Sequence, residues 1–393
     1  MRVVYLSPVG VIGGAERVLL TLIDAMAASG AGVQPVVITL ADGPLVTELR
    51  LRNVETIVVP LSAGLQSLGD SCGGGIGQVG RLLMALPALA GAVSALAAVV
   101  RRCRPNVIHT NGIKAHLLGC LVAPRGVSVV WHLHDFTGER RLAPWLLRAV
   151  AGRVGSAVAI SEAVGTDARR YLPSVPVTVI PNGIDLNRWT PGVGDGAWLD
   201  GQAGFADSAA VRVGLVATYA LWKGHDTFLQ AASLMGPMPG VRFFVIGGPI
   251  YATGAQQTRT ELQAMAHRLG LNVGFVPYQN DMAAVYRALD VVVHASKRPE
   301  PFGLVIAEAM ACGRAVVVSR GGGAVELFSE GVDAVGHVMG DANDLARVLG
   351  GLAADRDRRD RLGQAAAVSA CQRFGATRQA TAMAELYQRV SRC

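Results

Sequence analysis

Short runs rich in β-branched residues alternate along this chain with longer stretches rich in Ala and Leu, and this alternation is the strongest constraint on its fold. Each short run ends in Gly, Pro or Ser, as strands do where they lead into loops. The pattern predicts βαβ units, in which a helix connects one strand to the next parallel strand of a sheet. The sequence therefore predicts an α/β protein with parallel, doubly wound sheets.

The predicted strands form two series, separated by a stretch rich in Gly, Asp and Ala at residues 190–210. A chain of 393 residues is too long for one ordinary core. We predict an N-terminal Rossmann-like domain (1–190), a C-terminal Rossmann-like domain (191–376) and a terminal helix (377–393) that packs back on the N-terminal domain. The predicted strands are 3–7, 36–40, 56–60, 107–110, 127–132, 157–161, 177–180, 211–217, 242–247, 273–277, 291–295 and 315–319.

Composition narrows the functional classes. Hydrophobic residues make up 51% of the chain and charged residues 17%. This is enough apolar surface to form large hydrophobic cores, so we do not expect disorder. Lys and Arg outnumber Asp and Glu by 36 to 29, which favours an anionic small molecule or a membrane surface as partner. Only 5% of residues are aromatic and no basic run is interleaved with them, which argues against nucleic-acid binding.

Cysteine usage and the first residues favour a cytoplasmic protein. The six cysteines include no C-x-x-C pair, so neither a zinc site nor a disulfide framework is predicted. The N-terminal residues lack the pattern of a secretory signal. Residues 82–100 are uncharged and long enough to span a membrane, but Pro87, Gly91 and Ser94 interrupt them, so we predict a crossover helix. Peripheral contact with the inner face of the membrane stays open, notably through the basic and apolar residues 140–153.

Two segments of the first half carry candidate site residues. Residues 10–17 are Gly-rich and lead from the first strand into a helix, where backbone amides can approach an anion or a sugar. A simple tight turn explains the same glycines. His132 and His134 lie two positions apart at the end of a strand and are followed by Asp135. No third metal ligand can be placed beside them, so a hydrogen bond to a sugar is favoured over a metal site.

The second half carries a stronger set. Glu300 precedes, and Glu308 lies inside, a helix predicted over residues 304–311. Free amides at Phe302, Gly303 and Leu304 predict an anion site for a diphosphate, and Glu308 is placed to accept hydrogen bonds from ribose hydroxyls. Residues 321–326 form a second Gly-rich turn before a helix, and Lys223 adds a positive charge. Ordinary helix-end glutamates and a solvated lysine are the alternatives.

These segments together resemble the retaining GT-B glycosyltransferases known as glycosyl transferases group 1, or glycosyltransferase family 4. The resemblance spans nearly the whole chain. Its most specific element is the E-x7-E pattern in "EPFGLVIAEAMACG", and "GGAER", "VIPNGID", "WKGHDTFL" and "GGGAVE" follow the order of the family. The resemblance implies a GT-B fold, in which two Rossmann-like domains enclose a cleft.

The resemblance also implies a role for individual residues. In the donor site, Glu300 lies near the sugar hydroxyls, Glu308 holds the ribose and Lys223 binds the diphosphate. His134 approaches the sugar and the reaction centre, so His134 and Glu300 are the predicted catalytic residues. Gly13 and Gly14 line the donor phosphates, and Glu16 lies on the acceptor side. Asn182 lies in the "PNGID" turn, where it serves equally well as a turn former.

One departure concerns a phosphate-binding arginine that the family usually has a few residues before this lysine. Here the stretch offers Thr218 and Tyr219 instead. Arg320, beside the turn at residues 321–323, is a candidate replacement.

The sequence thus predicts a retaining, metal-independent hexosyltransferase without a cofactor. Its donor is a UDP-, GDP- or ADP-sugar and its acceptor a glycan or lipid-linked molecule of cell-surface polysaccharide or glycolipid synthesis. A catalytically weak nucleotide-sugar-binding subunit, or an epimerase or phosphorylase on the same scaffold, remains an alternative.

Overall fold

The computed structural model describes residues 1–61, 77–140, 142–206, 209–249 and 255–392, and of residues 77–88 it describes the helical backbone but not the side chains. The chain divides into two compact units. Met1–Pro181 together with Gln379–Cys393 form the N-terminal unit, and Asn182–Arg378 form the C-terminal unit.

The N-terminal unit contains one parallel sheet of seven strands in the order β3-β2-β1-β4-β5-β6-β7. β1 and β4 are buried along nearly their whole length, because helices cover both faces of a parallel sheet. The strands are β1 (Arg2–Ser7), β2 (Gln34–Thr39), β3 (Glu55–Val58), β4 (Val107–Asn111), β5 (Ser128–Leu133), β6 (Val154–Ala159) and β7 (Val177–Val179). The helices are α1 (Gly14–Ala28), α2 (Pro44–Leu51), α3 (Gly77–Cys103), α4 (Ile113–Val122), α5 (Ala143–Val150) and α6 (Glu162–Tyr171).

The C-terminal unit contains a parallel sheet of six strands in the order β10-β9-β8-β11-β12-β13. The strands are β8 (Val211–Val216), β9 (Val241–Ile246), β10 (Val273–Val276), β11 (Val291–His294), β12 (Ala315–Arg320) and β13 (Val335–Val338). The helices are α7 (Gly196–Gln202), α8 (His225–Leu234), α9 (Arg259–Arg268), α10 (Met282–Ala288), α11 (Leu304–Ala311), α12 (Ala342–Ala354), α13 (Arg356–Arg373) and α14 (Ala376–Val390), the last continuing into the N-terminal unit.

All twelve predicted strands are present, and β13 is an additional one. Residues 82–100 belong to α3, the crossover helix between β3 and β4. Among the residues whose side chains are described, no helix is long and apolar enough to cross a membrane. Part of the apolar segment 82–100 lies outside those residues.

The division between the units falls after Pro181, earlier than the residue 190 expected from composition. The Gly- and Asp-rich stretch after it packs within the C-terminal unit. Its fully buried Asp200 accepts hydrogen bonds from Arg212 at 2.6 Å and lies 2.7 Å from the Arg242 guanidinium. Such a buried pairing requires the stretch to lie against β8 and β9.

The last helix belongs to the N-terminal unit from Gln379 onward. The hydroxyl of Ser128, the first residue of β5, donates to the carbonyl oxygen of Val390 at 2.8 Å. The Tyr387 hydroxyl lies 2.7 Å from Nδ1 of His109 on β4.

In each sheet the strand order reverses at one point. This point lies between β1 and β4 in the N-terminal sheet and between β8 and β11 in the C-terminal sheet. In doubly wound sheets, ligands bind beyond the carboxyl ends of the strands at this point. The loops that follow these four strands, and their neighbours β5 and β12, are therefore where a site is expected.

Candidate functional site

The carboxyl edge of the C-terminal sheet holds a nearly buried carboxylate surrounded by polar groups. The Glu300 carboxylate accepts hydrogen bonds from Lys223 Nζ at 2.8 and 3.1 Å, and from Ser296 Oγ at 2.9 Å. His294 Nε2 lies 3.1 Å from the same carboxylate and 3.0 Å from Ser296 Oγ. We call Lys223, His294, Ser296 and Glu300 the Glu300 cluster.

The Glu300 cluster stabilises the ionised carboxylate. Burial by itself raises the pKa of Glu300, but the Lys223 charge and the His294 hydrogen bond outweigh it, so the pKa is well below its usual range. Lys223 also lies over the Trp222 ring, with Nζ 3.8 Å from the ring centre. The lysine is thus held in place from two sides.

Backbone geometry brings Lys223 and Glu300 together. Gly224 has a φ of +72°, and a Cβ there would lie 1.9 Å from the carbonyl oxygen of Ala295. Only glycine permits this approach of the loop after β8 to the end of β11. On the other side, Glu300 forms an isolated bridge with Gly322, whose φ is +65°. The Gly323 amide donates to the Glu300 carbonyl at 2.7 Å.

The start of α11 lies directly beyond Glu300. Gly303 is its N-cap, with a φ of +102° and no side chain to satisfy the first amides. In the described part of the chain, the backbone N–H groups of Phe302, Gly303 and Leu304 have no backbone carbonyl partner. Such amides at a helix start attract an anion. The Phe302 side chain itself is buried and packs edge-on against Phe374.

Glu308, on α11, accepts a hydrogen bond from the Tyr286 hydroxyl at 2.9 Å. Burial of Tyr286 and the charge of Glu308 raise the pKa of this hydroxyl well above its usual value. Tyr286 packs edge-on against Trp189, with ring centres 5.6 Å apart. The tyrosine therefore orients the Glu308 carboxylate by a bond from a fixed, protonated hydroxyl.

Of the two residues in the stretch where an arginine is usual, Tyr219 belongs to the core. Tyr219 is 2% exposed and packs edge-on against His225. Arg320, the candidate replacement, pairs with Glu330 at 2.8 Å on the surface of the unit. Its guanidinium therefore already has an acidic partner.

The carboxyl edge of the N-terminal sheet carries imidazoles. The rings of His132 and His134 are 4.1 Å apart, and His109 stacks edge-on against His132 at 5.1 Å. His116 lies nearby, with Nδ1 2.7 Å from the Thr110 hydroxyl. We call His109, His116, His132 and His134 the imidazole cluster.

Burial keeps the imidazole cluster uncharged. It lowers the pKa of His134 to about 4, and burial together with the neighbouring His134 lowers that of His109 to about 3. The pKa values of His116 and His132 are also well below their usual value, chiefly because both rings are buried. His134 Nε2 lies 3.1 Å from Oδ1 of Asn111, at the end of β4. The buried Nδ2 of Asn111 has no partner among the described residues.

The Gly-rich loop after β1 leads into α1, as expected. Gly13 is the N-cap of α1, and Gly14 is its first residue. The Glu16 side chain turns back and accepts a hydrogen bond from the Gly13 amide at 3.0 Å. Burial raises the pKa of Glu16, and the neighbouring Asp135 raises it further. The charge of Asp135, the residue after His134, thus acts on the Glu16 carboxyl.

The predicted residues thus fall into two groups, one in each unit. Lys223 and Glu300 form an ion pair beside the start of α11 in the C-terminal unit. In the N-terminal unit, Gly13 and Glu16 share a hydrogen bond, and His134 follows the end of β5. His294, Ser296, Tyr286 and Asn111 were not among the predicted site residues. A signal existed for His294 and Ser296, because His294 ends β11 and Ser296 lies two positions beyond it, at the carboxyl end of a strand where doubly wound sheets bind ligands.

Comparison with known families matches both halves of the chain. Residues 12–188 match the model of Glycosyltransferase Family 4, and residues 207–368 match that of Glycosyl transferases group 1. A D-inositol 3-phosphate glycosyltransferase of Xylanimonas cellulosilytica is 33% identical over 314 residues, 73% of this chain and 72% of the relative. One from Actinosynnema mirum is 37% identical over 62% of this chain and 64% of the relative.

Solved structures share the fold. The Anabaena protein Alr3699/HepE, solved in complex with UDP and glucose, superimposes with a TM-score of 0.81 at 27% identity, over 98% of both chains. Sucrose-phosphate synthase of Thermosynechococcus elongatus superimposes with a TM-score of 0.78 at 21% identity, over 99% of both chains. The fold is that of the GT-B glycosyltransferases. The chain belongs to the glycosyl transferases group 1, with a glycosyltransferase family 4 N-terminal half.

Proposed function

We propose that this glycosyltransferase moves a hexose, with retention of configuration and without a metal ion, from a nucleotide-diphosphate sugar to a glycan or lipid-linked acceptor. The Glu300 cluster carries the proposal, because it places a fixed lysine and an ionised carboxylate beside the free amides at the start of α11. This arrangement suits a donor that is anionic at its diphosphate and rich in hydroxyls at its sugar.

In the proposed donor site, Lys223 and the amides of Phe302, Gly303 and Leu304 hold the diphosphate. These groups stabilise the negative charge that grows on the departing phosphate oxygen, and positive charge from the protein takes the place of a metal ion. Glu300 accepts hydrogen bonds from sugar hydroxyls, and Glu308 from the ribose.

The proposed reaction exchanges one bond at the anomeric carbon. The acceptor oxygen forms a bond to this carbon on the face from which the phosphate oxygen departs, and the acceptor proton ends on that phosphate oxygen. His134 contacts a sugar hydroxyl through its neutral ring. The Gly13 and Gly14 loop lines the phosphates, and Glu16 acts on the acceptor side by closing that loop through Gly13.

Similarity to the Anabaena protein solved with UDP and UDP-glucose makes uridine the first base to test. The relatives named D-inositol 3-phosphate glycosyltransferases make this inositol phosphate the first acceptor. Lipid-linked sugars come next, because peripheral membrane contact belongs to the same proposal.

A thermal-shift screen of the full chain with UDP, GDP, ADP and their sugar conjugates tests the donor site. One nucleotide series should raise the melting temperature by about 5 °C at 100 times its Kd. Glu308→Ala should abolish this rise, whereas Glu385→Ala, at an exposed glutamate of the N-terminal unit, should keep it. Stabilisation that survives in Glu308→Ala would contradict the assigned ribose contact.

Turnover tests the reaction. Nuclear magnetic resonance of the product should show the anomeric configuration of the donor, and added EDTA should leave the rate unchanged. An inverted product, or loss of the rate that Mg²⁺ restores, would refute the respective part of the proposal.

A nucleotide-sugar-binding subunit without turnover is the second candidate. The observation that favours it is the buried Tyr219 where the family usually supplies a phosphate-binding arginine nearby. Nucleotide-dependent stabilisation without product, across soluble and lipid-linked acceptors, would support this candidate over the enzyme.

A further inference from the structure

Helix α5 leaves an apolar face uncovered in the N-terminal unit. Leu142, which precedes the helix, is 72% exposed, Trp145 is 69% exposed and Leu146 is 50% exposed. Their spacing of three and four positions places them on one face of a helix. Leu147, by contrast, is buried. Single exposed apolar residues are common, but three on one helical face form a continuous surface.

Three exposed arginines lie on this helix or flank it in the chain. Arg140 and Arg153 are exposed on either side of the helix in the chain, and Arg148 is exposed on the helix itself. The Arg148 guanidinium carbon lies 5.5 Å from the centre of the Trp145 ring. Its Nε donates to the Tyr171 carbonyl at 2.6 Å, so the cation is held beside the tryptophan.

We propose that Leu142, Trp145 and Leu146 insert into the interface of an anionic lipid bilayer while Arg140, Arg148 and Arg153 contact its headgroups. We call these six residues the α5 surface. A tryptophan beside leucines, bordered by arginines, is the composition of helices that lie in a membrane interface. Each arginine near an anionic surface adds attraction, and the excess of basic residues in the whole chain acts in the same direction.

The position of the α5 surface in the chain relates the proposed bilayer contact to a lipid-linked acceptor. α5 follows β5, and the connection between them carries His134 at the carboxyl edge of the sheet. Because α5 follows β5, its first turn, with Leu142 and Trp145, is the end of the helix nearest in the chain to this edge. A bilayer bound there brings the headgroup of a lipid-linked acceptor toward His134. This last step rests on the proposed function, whereas bilayer binding itself does not.

Vesicle flotation of the full-length protein tests bilayer binding directly. Vesicles of phosphatidylcholine with 30% phosphatidylglycerol, a composition chosen to supply about one anionic headgroup in three, should carry the wild type at low salt. Trp145→Ser should weaken this binding about tenfold, because a large apolar side chain leaves the interface. Arg140→Gln and Arg153→Gln should each weaken it about fivefold. Vesicles of phosphatidylcholine alone should bind far less protein.

Leu51→Ser is the matched control for Leu142→Ser, because both leucines are 72% exposed in the N-terminal unit. Only Leu142→Ser should weaken binding. Brominated lipids should quench the tryptophan fluorescence of the wild type and lose this quenching in Trp145→Leu. Circular dichroism of every variant checks that the fold is retained.

Two results would overturn the proposal: no flotation of the wild type on anionic vesicles, or equal flotation of Trp145→Ser. If the wild type does not float and forms a dimer in sedimentation that Trp145→Ser abolishes, the α5 surface belongs to a contact with a second copy of the chain. Failure of the proposed function is recognised separately, because nucleotide-dependent stabilisation and product formation are measured without vesicles. A vesicle-binding protein without transferase activity would leave the α5 surface assigned and refute only the function.

Discussion

The two units share one architecture but place opposite chemistry at the carboxyl edges of their sheets. In the C-terminal unit, the Glu300 cluster keeps a lysine and a carboxylate in an ion pair of 2.8 Å. In the N-terminal unit, the imidazole cluster consists of rings that burial keeps neutral. The two edges differ in charge although the fold is the same, because a few side chains at and just after the strand ends set the chemistry of each edge.

We expect the largest effect from breaking the ion pair between Lys223 and Glu300. Lys223→Ala should lower kcat/KM by about 10³-fold, because it removes the positive charge at the departing phosphate. It should also destabilise the C-terminal unit by roughly 3 kcal/mol, because Glu300 is left buried with less compensation. Nucleotide release and thermal melting measure the two effects.

Lys297→Ala serves as the control, because Lys297 pairs with Asp226 at 2.7 Å but is exposed. Its loss should change both quantities little. Equal losses in the two variants would remove the distinction drawn for the Glu300 cluster.

We expect a substitution in the imidazole cluster to have a smaller effect on the rate and none on nucleotide affinity. His134→Phe should lower kcat/KM about tenfold, the value of one neutral hydrogen bond to the sugar. Isothermal titration with the nucleotide diphosphate should give the wild-type Kd, because His134 is assigned a contact with a sugar hydroxyl and none with the diphosphate. A weakened Kd would contradict the role assigned to His134.

A fall in pH should destabilise the two units to different extents. The folded-state pKa values of the imidazole cluster lie below the unfolded value of about 6.5, so the unfolded chain binds more protons between these values. Stability is therefore fully present above pH 6.5 and is lost as pH falls toward about 4 for His134 and about 3 for His109. Each buried histidine should cost about 1 kcal/mol by pH 5.5.

The C-terminal unit contributes its own acid-sensitive histidines. Burial lowers the pKa of His225 to about 4 and also lowers that of His337. The N-terminal unit has four histidines with a lowered pKa and the C-terminal unit has two. We therefore still expect the N-terminal unit to lose more stability in acid. The Glu300 ion pair acts in a lower pH window, because its stability is present above about pH 4 and is lost only as pH falls through the lowered folded pKa. Hydrogen exchange at pH 7 and 5.5 should show earlier opening of the N-terminal unit, and the reverse order would contradict this prediction.

Arg320 predicts the smallest effect. Its pair with Glu330 is about half exposed, so Arg320→Ala should change stability by less than about 1 kcal/mol. Donor affinity should change less than about twofold, because the guanidinium already has a partner and an exposed pair contributes little. A tenfold loss of donor affinity would instead identify Arg320 as the replacement for the missing arginine.

The strands of both sheets were predictable because buried parallel strands are continuous runs of β-branched residues. β13 was not, because Val335–Val338 includes a glycine and a histidine. Its strand conformation depends on pairing with β12, from Val317 to Arg320. The boundary between the units was misplaced for a related reason, since the composition of residues 190–210 suggests a linker whereas Asp200 is held by Arg212 and Arg242.

The sequence by itself determined the two α/β halves, the family and the residues of the E-x7-E pattern, because periodicity and motif spacing are local properties. Only the tertiary structure decided that Glu300 is paired with Lys223, 77 positions earlier, and that His109 meets Tyr387, 278 positions later. The physical reason is that a side chain acquires its charge state and partners from groups that the sheet order brings together. These neighbours cannot be read from spacing along the chain.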